Sequence, residues 1–222
     1  MFDRIAERYD LLNRLISFGL DLRWRKKLLA ALELNDGDSL LDVATGTADV
    51  AIDACNAVPN LTAVGLDPSV GMLGVGQRKV VEASLQPRIE LVEGDALQMP
   101  FEDNRFSASC VSFGIRNFPD RLQGLREMTR CVKSGGHVAV LELSEPRKGI
   151  LAPFARMHIH HIVPRLGSLL SGDREYAYLA QSIKAFPPPE AFADLMREAG
   201  LVDVRFQPMT FGVAHLYVGT KP

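Results

Sequence analysis

The chain has 222 residues, 47% hydrophobic and 23% charged, which suits one globular domain with a real core. A formal net charge of −2, from 25 basic and 27 acidic residues, gives no electrostatic basis for nucleic acid as a partner. Cys55, Cys110 and Cys131 are widely spaced and read as reduced core thiols of a cytoplasmic protein. No run reaches the ~18 apolar residues of a membrane span.

Two amphipathic helices open the chain, over residues 2–17 (Ile5, Tyr9, Leu12 and Ile16 at helical spacing) and 20–32 (Leu22, Leu28, Leu29, Leu32). Asn35, Asp36 and Gly37 make a turn, and the pattern then alternates. Strand 39–43 precedes helix 49–58, strand 61–66 precedes helix 70–83, and strands 89–92 and 106–112 precede helix 121–132. A turn at Lys133, Ser134, Gly135 and Gly136 leads into strand 137–143. Strands separated by helices in this way predict an α/β fold, with a parallel sheet covered on both faces.

Residues 144–189 break the alternation and read as an inserted helical cap, too long for a bare loop. Helix 190–199 and strands 202–206 and 213–219 follow, the two strands expected to pair antiparallel and complete the sheet. The chain thus divides within one domain into an N-terminal helical cap (1–36), a cofactor-binding core (37–143), the insertion (144–189) and a C-terminal helix and strand pair (190–222).

Acidic and glycine residues gather at the carboxyl ends of the strands, where open α/β sheets bind ligands. Asp42 closes the first strand ahead of Ala44, Thr45, Gly46, Thr47, Ala48 and Asp49. Gly46 allows a tight turn against a ligand, and Thr47 with the following helix N-terminus offers donors. Asp67 ends the second strand, where a carboxylate accepts both hydroxyls of a ribose. Asp95, with Ala96 beside it, follows the third strand at the place for an adenine amino group, and Ser112 ends the fourth. A dinucleotide site wants three glycines in this loop, but only one is present and an acid precedes it. That acid repels pyrophosphate and suits a ligand bearing an ammonium or sulfonium group, which favours S-adenosyl-L-methionine.

Met1, Phe2, Asp3, Arg4, Ile5 and Ala6, then Tyr9, Asp10, Asn13, Ser17, Phe18, Gly19, Trp24 and Arg25, form an N-terminal signature. Ser112, Phe113, Gly114, Ile115, Arg116 and Asn117 form a middle one, with Arg126, Glu127 and the Lys133–Gly136 turn beyond it. Pro164, Arg165, Leu166, Gly167 and Ser168 form a third, followed by Tyr178, Leu179, Ser182 and Ile183. On these motifs the chain resembles, over nearly its whole length, the quinone C-methyltransferases that act on demethylmenaquinone and polyprenyl-benzoquinol precursors.

The resemblance implies a class I, Rossmann-like methyltransferase fold with a mostly parallel seven-stranded sheet whose last strand is antiparallel. It implies S-adenosyl-L-methionine as cofactor, with contacts at Thr47, Asp67, Asp95, Ala96 and Ser112 and a loop shaped by Asp42 and Gly46. It also implies a polyprenyl quinol substrate: demethylmenaquinol first, the benzoquinol as a second possibility. Thr45, Ala48, Asp95 and Phe211 depart from the residues usual in the family.

Ring methylation needs a deprotonated quinol rather than an enzyme nucleophile. Arg116 is the first candidate to hold the phenolate, or a water that takes its proton. Tyr9 could orient cofactor or ring, and His160 is a candidate base among His158, His160 and His161, which lack the partners of a metal site. Phe113, Asn117, Arg165 and Tyr178 are candidate substrate contacts, and no metal is expected. Apolar residues of the insertion could form a groove for the tail. Arg147, Lys148, Arg156 and Arg165 could meet lipid headgroups in transient contact with the inner face of the membrane. A homodimer, a different phenolic or lipid substrate, and a silent cofactor-binding subunit all stay open on the sequence. A dehydrogenase does not fit the glycine pattern.

Overall fold

The computed structural model describes residues 6, 14, 17–144 and 173–222, leaving out the side chains of residues 173–177. The expected helix 2–17 and most of the expected insertion lie outside the described residues.

In chain order the elements are α1 (Leu20–Ala31), β1 (Ser39–Val43), α2 (Asp49–Ala57), β2 (Thr62–Asp67), α3 (Val70–Glu82), β3 (Ile89–Glu93), β4 (Phe106–Ser112), α4 (Arg121–Cys131) and β5 (Val132–Leu143). They continue with α5 (Asp173–Ala185), α6 (Pro189–Glu198), β6 (Val202–Met209) and β7 (Ala214–Thr220). The strands form one seven-stranded sheet in the order β3-β2-β1-β4-β5-β7-β6. The first five pair in parallel, and β7 runs antiparallel to both β5 and β6. The order reverses between β1 and β4, which opens a crevice at their carboxyl ends.

Successive side chains of a strand face opposite ways, so the sheet has two apolar faces. Leu40, Ala63, Ala108, Cys110, Ala139 and Leu141 pack beneath Trp24 and Leu28 of α1 and Ala51 and Ala54 of α2. Leu41, Val43, Val64, Val111, Val138 and Val140 pack against Leu125 and Met128 of α4 and Phe192 and Met196 of α6. Ser69 caps α3 by accepting from Met72 N (3.2 Å), and Asp120 caps α4 by accepting from Gln123 N (3.0 Å).

Two elements differ from the sequence expectation. The turn at 133–136 is absorbed into β5: Phe106 pairs with Val132 but Ala108 with His137, so the intervening residues bulge past Ser107. Backbone bonds from Gly135 N to Lys221 O (2.8 Å) and from Lys221 N to Gly136 O (2.9 Å) hold that excursion against the chain end. The sixth strand runs on to Met209 through Pro208, which costs little because β6 is the sheet edge.

A Cβ on Gly136 would stand 2.3 Å from the carbonyl oxygen of Ser107, whereas one on Gly74, inside α3, meets nothing within 4 Å. In urea unfolding, Gly136→Ala is expected to lose about 1–3 kcal/mol and Gly74→Ala to gain about 1 kcal/mol. Shifts of the same sign in both variants would contradict this packing.

Candidate active site

The loop leaving β1 is bent by three left-handed residues, Ala44, Gly46 and Ala48, before α2 begins. Asp42 does not face the space above it. Its carboxylate is 1% exposed, accepting from Thr45 Oγ1 (2.6 Å) and from the Cys110 thiol (3.6 Å) on the neighbouring strand. Burial pushes the Asp42 carboxyl up to about 6, against the opposing pull of those two donors and of Arg25. Burial and the adjacent Asp42 raise the Cys110 thiol well above its usual range, so it stays protonated and donates.

Asp67 joins the loops on either side. One oxygen accepts from Gly46 N (2.9 Å), the other from Ser69 N (2.9 Å), and its own carbonyl accepts from Gly94 N (3.2 Å). Beyond β3, Asp95 accepts from Leu97 N (2.9 Å), which folds a tight turn beside Ala96. Beyond β4, Ser112 Oγ is buried with no hydrogen-bond partner among the described residues. Phe113 takes a left-handed conformation and meets Trp24 edge-on, ring centroids 6.2 Å apart.

These strand ends enclose a cleft of about 220 Å³. Gly46, Asp67, Asp95, Ala96, Ser112, Phe113 and Asn117 line it, as do Met72, Phe118 and Pro119. Asp42 and Thr47, expected as cofactor contacts, do not line it. Both side chains are buried in bracing the loop, Thr47 accepting from Lys79 Nζ at 3.1 Å. Lys79 also pairs with Asp49, and Asp49 with Arg25, itself 3.2 Å from Asp21. Burial pushes the Asp49 carboxyl up, but Arg25 and Lys79 outweigh it and hold Asp49 below the usual carboxylate range.

Arg116 stands behind the cleft rather than on its wall. Its Nη1 donates to Glu142 Oε1 (2.7 Å) and to the Phe113 carbonyl, and its backbone N–H donates to Glu142 Oε2 (3.1 Å). Glu142 is fully buried and also accepts from Leu143 N (2.8 Å). The Tyr178 hydroxyl, on α5, donates to Asn117 Oδ1 (3.0 Å), so two expected substrate contacts meet at one rim. Tyr9, His160 and Arg165 lie outside the described residues.

Sequence reasoning missed Glu142, Lys79 and Met72. Glu142 had a signal, an acid between Leu141 and Leu143 in an apolar strand, while Lys79 had none because its partner is distant in sequence.

Solved methyltransferase structures share this fold. A phosphoethanolamine N-methyltransferase of Haemonchus contortus, solved with S-adenosyl-L-methionine, superposes with a TM-score of 0.73 at 16% identity, covering 100% of this chain and 60% of that one. An S-adenosylmethionine-dependent methyltransferase of Thermotoga maritima gives 0.70 at 17% identity, covering 100% and 98%. At the level of sequence, the model of the ubiE/COQ5 methyltransferase family matches residues 1–221, and the chain belongs to that family. It is 42% identical to the demethylmenaquinone methyltransferase of Bacteroides fragilis, over 100% of this chain and 91% of that protein. With that of Thermus thermophilus it shares 42% over the full length of both. A ubiquinone/menaquinone biosynthesis C-methyltransferase of a Geobacter species is 40% identical, over 100% and 94%.

Because the folded Asp42 carboxyl titrates near 6 rather than the usual value of about 3.9, the folded chain binds its proton more tightly than the unfolded one. Its contribution to stability is therefore present at low pH and lost as the pH rises from about 4 to about 6. The unfolding free energy of the wild type minus that of Asp42→Asn should fall by on the order of 2–3 kcal/mol across that window. A flat difference would show that Asp42 is not held in an apolar setting.

Proposed function

We propose that the chain transfers a methyl group from S-adenosyl-L-methionine to a ring carbon of a polyprenyl quinol, converting demethylmenaquinol to menaquinol, with the corresponding benzoquinol as a second substrate. The observation that carries this reading is full-length similarity to demethylmenaquinone methyltransferases, joined to a cleft whose polar groups suit that cofactor. The unpartnered Ser112 Oγ is a polar atom that a ligand in the cleft would satisfy. Asp67 supplies the acceptor for two ribose hydroxyls, Asp95 and the Ala96 backbone take the base edge, and Met72 and Phe118 give it apolar walls. When bound, the cofactor supplies an electrophilic methyl group on a sulfonium.

The protein's share of the chemistry is placement and charge. A quinol hydroxyl with an ordinary pKa of about 10 must lose its proton before the ring carbon becomes nucleophilic. Arg116, fixed in advance by Glu142 behind the cleft wall, acts on the developing phenolate as a charge from behind Phe113 rather than by direct contact. The proton leaves to a water held near Arg116 or to His160, and Tyr9 orients the ring from the N-terminal side. Phe113, Asn117, Tyr178 and Arg165 bound the ring's position, with Tyr178 closing over Asn117 from α5. No metal takes part. The enzyme works in the cytoplasm at the inner face of the membrane that holds its substrate. No helix among the described residues is long and apolar enough to cross that membrane.

The test is methyl transfer from labelled S-adenosyl-L-methionine to reduced short-tail demethylmenaquinol and a benzoquinol analogue. Carbon methylation is expected, faster with the naphthoquinol, and Arg116→Ala should lower kcat about 10²–10³-fold. Cofactor binding without transfer to either quinol would overturn the assignment.

A further inference from the structure

Helix α1 has a lopsided charge distribution. Its one acid, Asp21, is buried on Arg25 and Ser17, while Arg23, Lys26 and Lys27 are all exposed. Leu22, 40% exposed, stands one turn from Lys26, and Phe18, 74% exposed, lies in the turn just before the helix. The outer face of α1 is therefore basic with an apolar end, and the acid facing it is the exposed Asp53 of α2, opposite Lys26.

The same helix is tied through Trp24 to the tip between β6 and β7. There Thr210 and Phe211 are consecutive non-glycine residues in the left-handed region, a conformation proteins retain where a site requires it. The tip is held firmly: Trp24 Nε1 donates to Thr210 Oγ1 (2.9 Å), Ser144 Oγ to Gly212 O (2.8 Å) and Val213 N to Thr210 O (3.2 Å). All this restraint presents Phe211 outward, 71% exposed. Ala214 pairs with Leu143 at the carboxyl end of β5, so the tip lies on the edge of the sheet where the cleft also opens.

We infer that Phe211, Phe18 and Leu22 with the Arg23, Lys26 and Lys27 face of α1 form a docking surface for an anionic lipid bilayer. Aromatic side chains seat at the level of the headgroups, and a neighbouring row of cations is drawn to anionic lipid. A second copy of the chain is a poor occupant, because a two-fold contact through this face would set cations against cations. Docking this way turns the cleft toward the bilayer, where a substrate with an apolar tail resides. The inference deepens the quinol reading by naming the surface, but lipid binding is read without substrate, so the two can fail separately.

The full chain is sedimented with vesicles of phosphatidylcholine alone or mixed with phosphatidylglycerol. Wild type should bind the anionic vesicles, less so as salt is raised, and the neutral ones weakly. Phe211→Ser, and separately the combined Arg23→Gln, Lys26→Gln and Lys27→Gln, should each lower the partition coefficient by about tenfold or more. Both should keep wild-type circular dichroism and turnover of a water-soluble short-tail quinol, since none of these residues lines the cleft. Equal binding of wild type and variants to anionic vesicles would overturn the inference. So would a wild-type dimer that Phe211→Ser dissociates in the absence of any vesicle binding. Vesicle binding in a chain that methylates no quinol would support the surface and remove the quinol reading instead.

Discussion

A carboxylate that accepts backbone N–H groups from two different loops fixes both loops at once, and Asp67 does this at the carboxyl end of β2. Gly46 N and Ser69 N, each 2.9 Å away, belong to the turn into α2 and to the cap of α3. Hydrogen bonds from uncharged donors to an ionised acceptor are among the stronger ones, each worth about 1.5–3 kcal/mol. The wall of the cleft formed by β1 and β2 therefore depends on this one side chain. Any ligand bound there meets a negative charge already held by neighbouring dipoles.

Around that point the charged groups sit in layers, each steadying the next. Arg25, Asp49 and Lys79 link α1, α2 and α3 and hold Thr47 from behind, so the loop is braced where it carries no ligand contact of its own. On the opposite face of the sheet, Glu142 holds Arg116 by both backbone and side chain. A buried pair of this kind contributes little net stability, but losing one partner costs about 3–5 kcal/mol, so it specifies a conformation more than it adds strength. A cation near reacting groups has to be placed in this way if it is to act without first reorganising.

The strand ladder was legible in the sequence because each apolar run stops at an acid, a glycine or a serine. Gly46, Asp67, Asp95, Ala96 and Ser112, picked out as strand-end groups, do line one cleft. Asp42 was placed correctly along its strand, yet alternation alone did not say that Thr45 would fold back onto it and seal it from the ligand side. The partners of Arg25 and Lys79 lie 24 and 30 residues away in sequence, a separation with no periodic signature. The strand expected over 202–206 continues through Pro208 to Met209, which a proline permits only at an edge, and the sheet order shows that β6 is one.

The central claim, that Asp67 organises a cleft for S-adenosyl-L-methionine, is tested most directly by calorimetric titration of S-adenosyl-L-homocysteine into wild type and Asp67→Asn. An amide can accept from only one of the two backbone donors and sets its own N–H₂ against the other. Affinity is predicted to fall at least about tenfold, equivalent to about 1.4 kcal/mol, with the variant still folded. Unchanged affinity in Asp67→Asn, or no binding by the wild type, would contradict it.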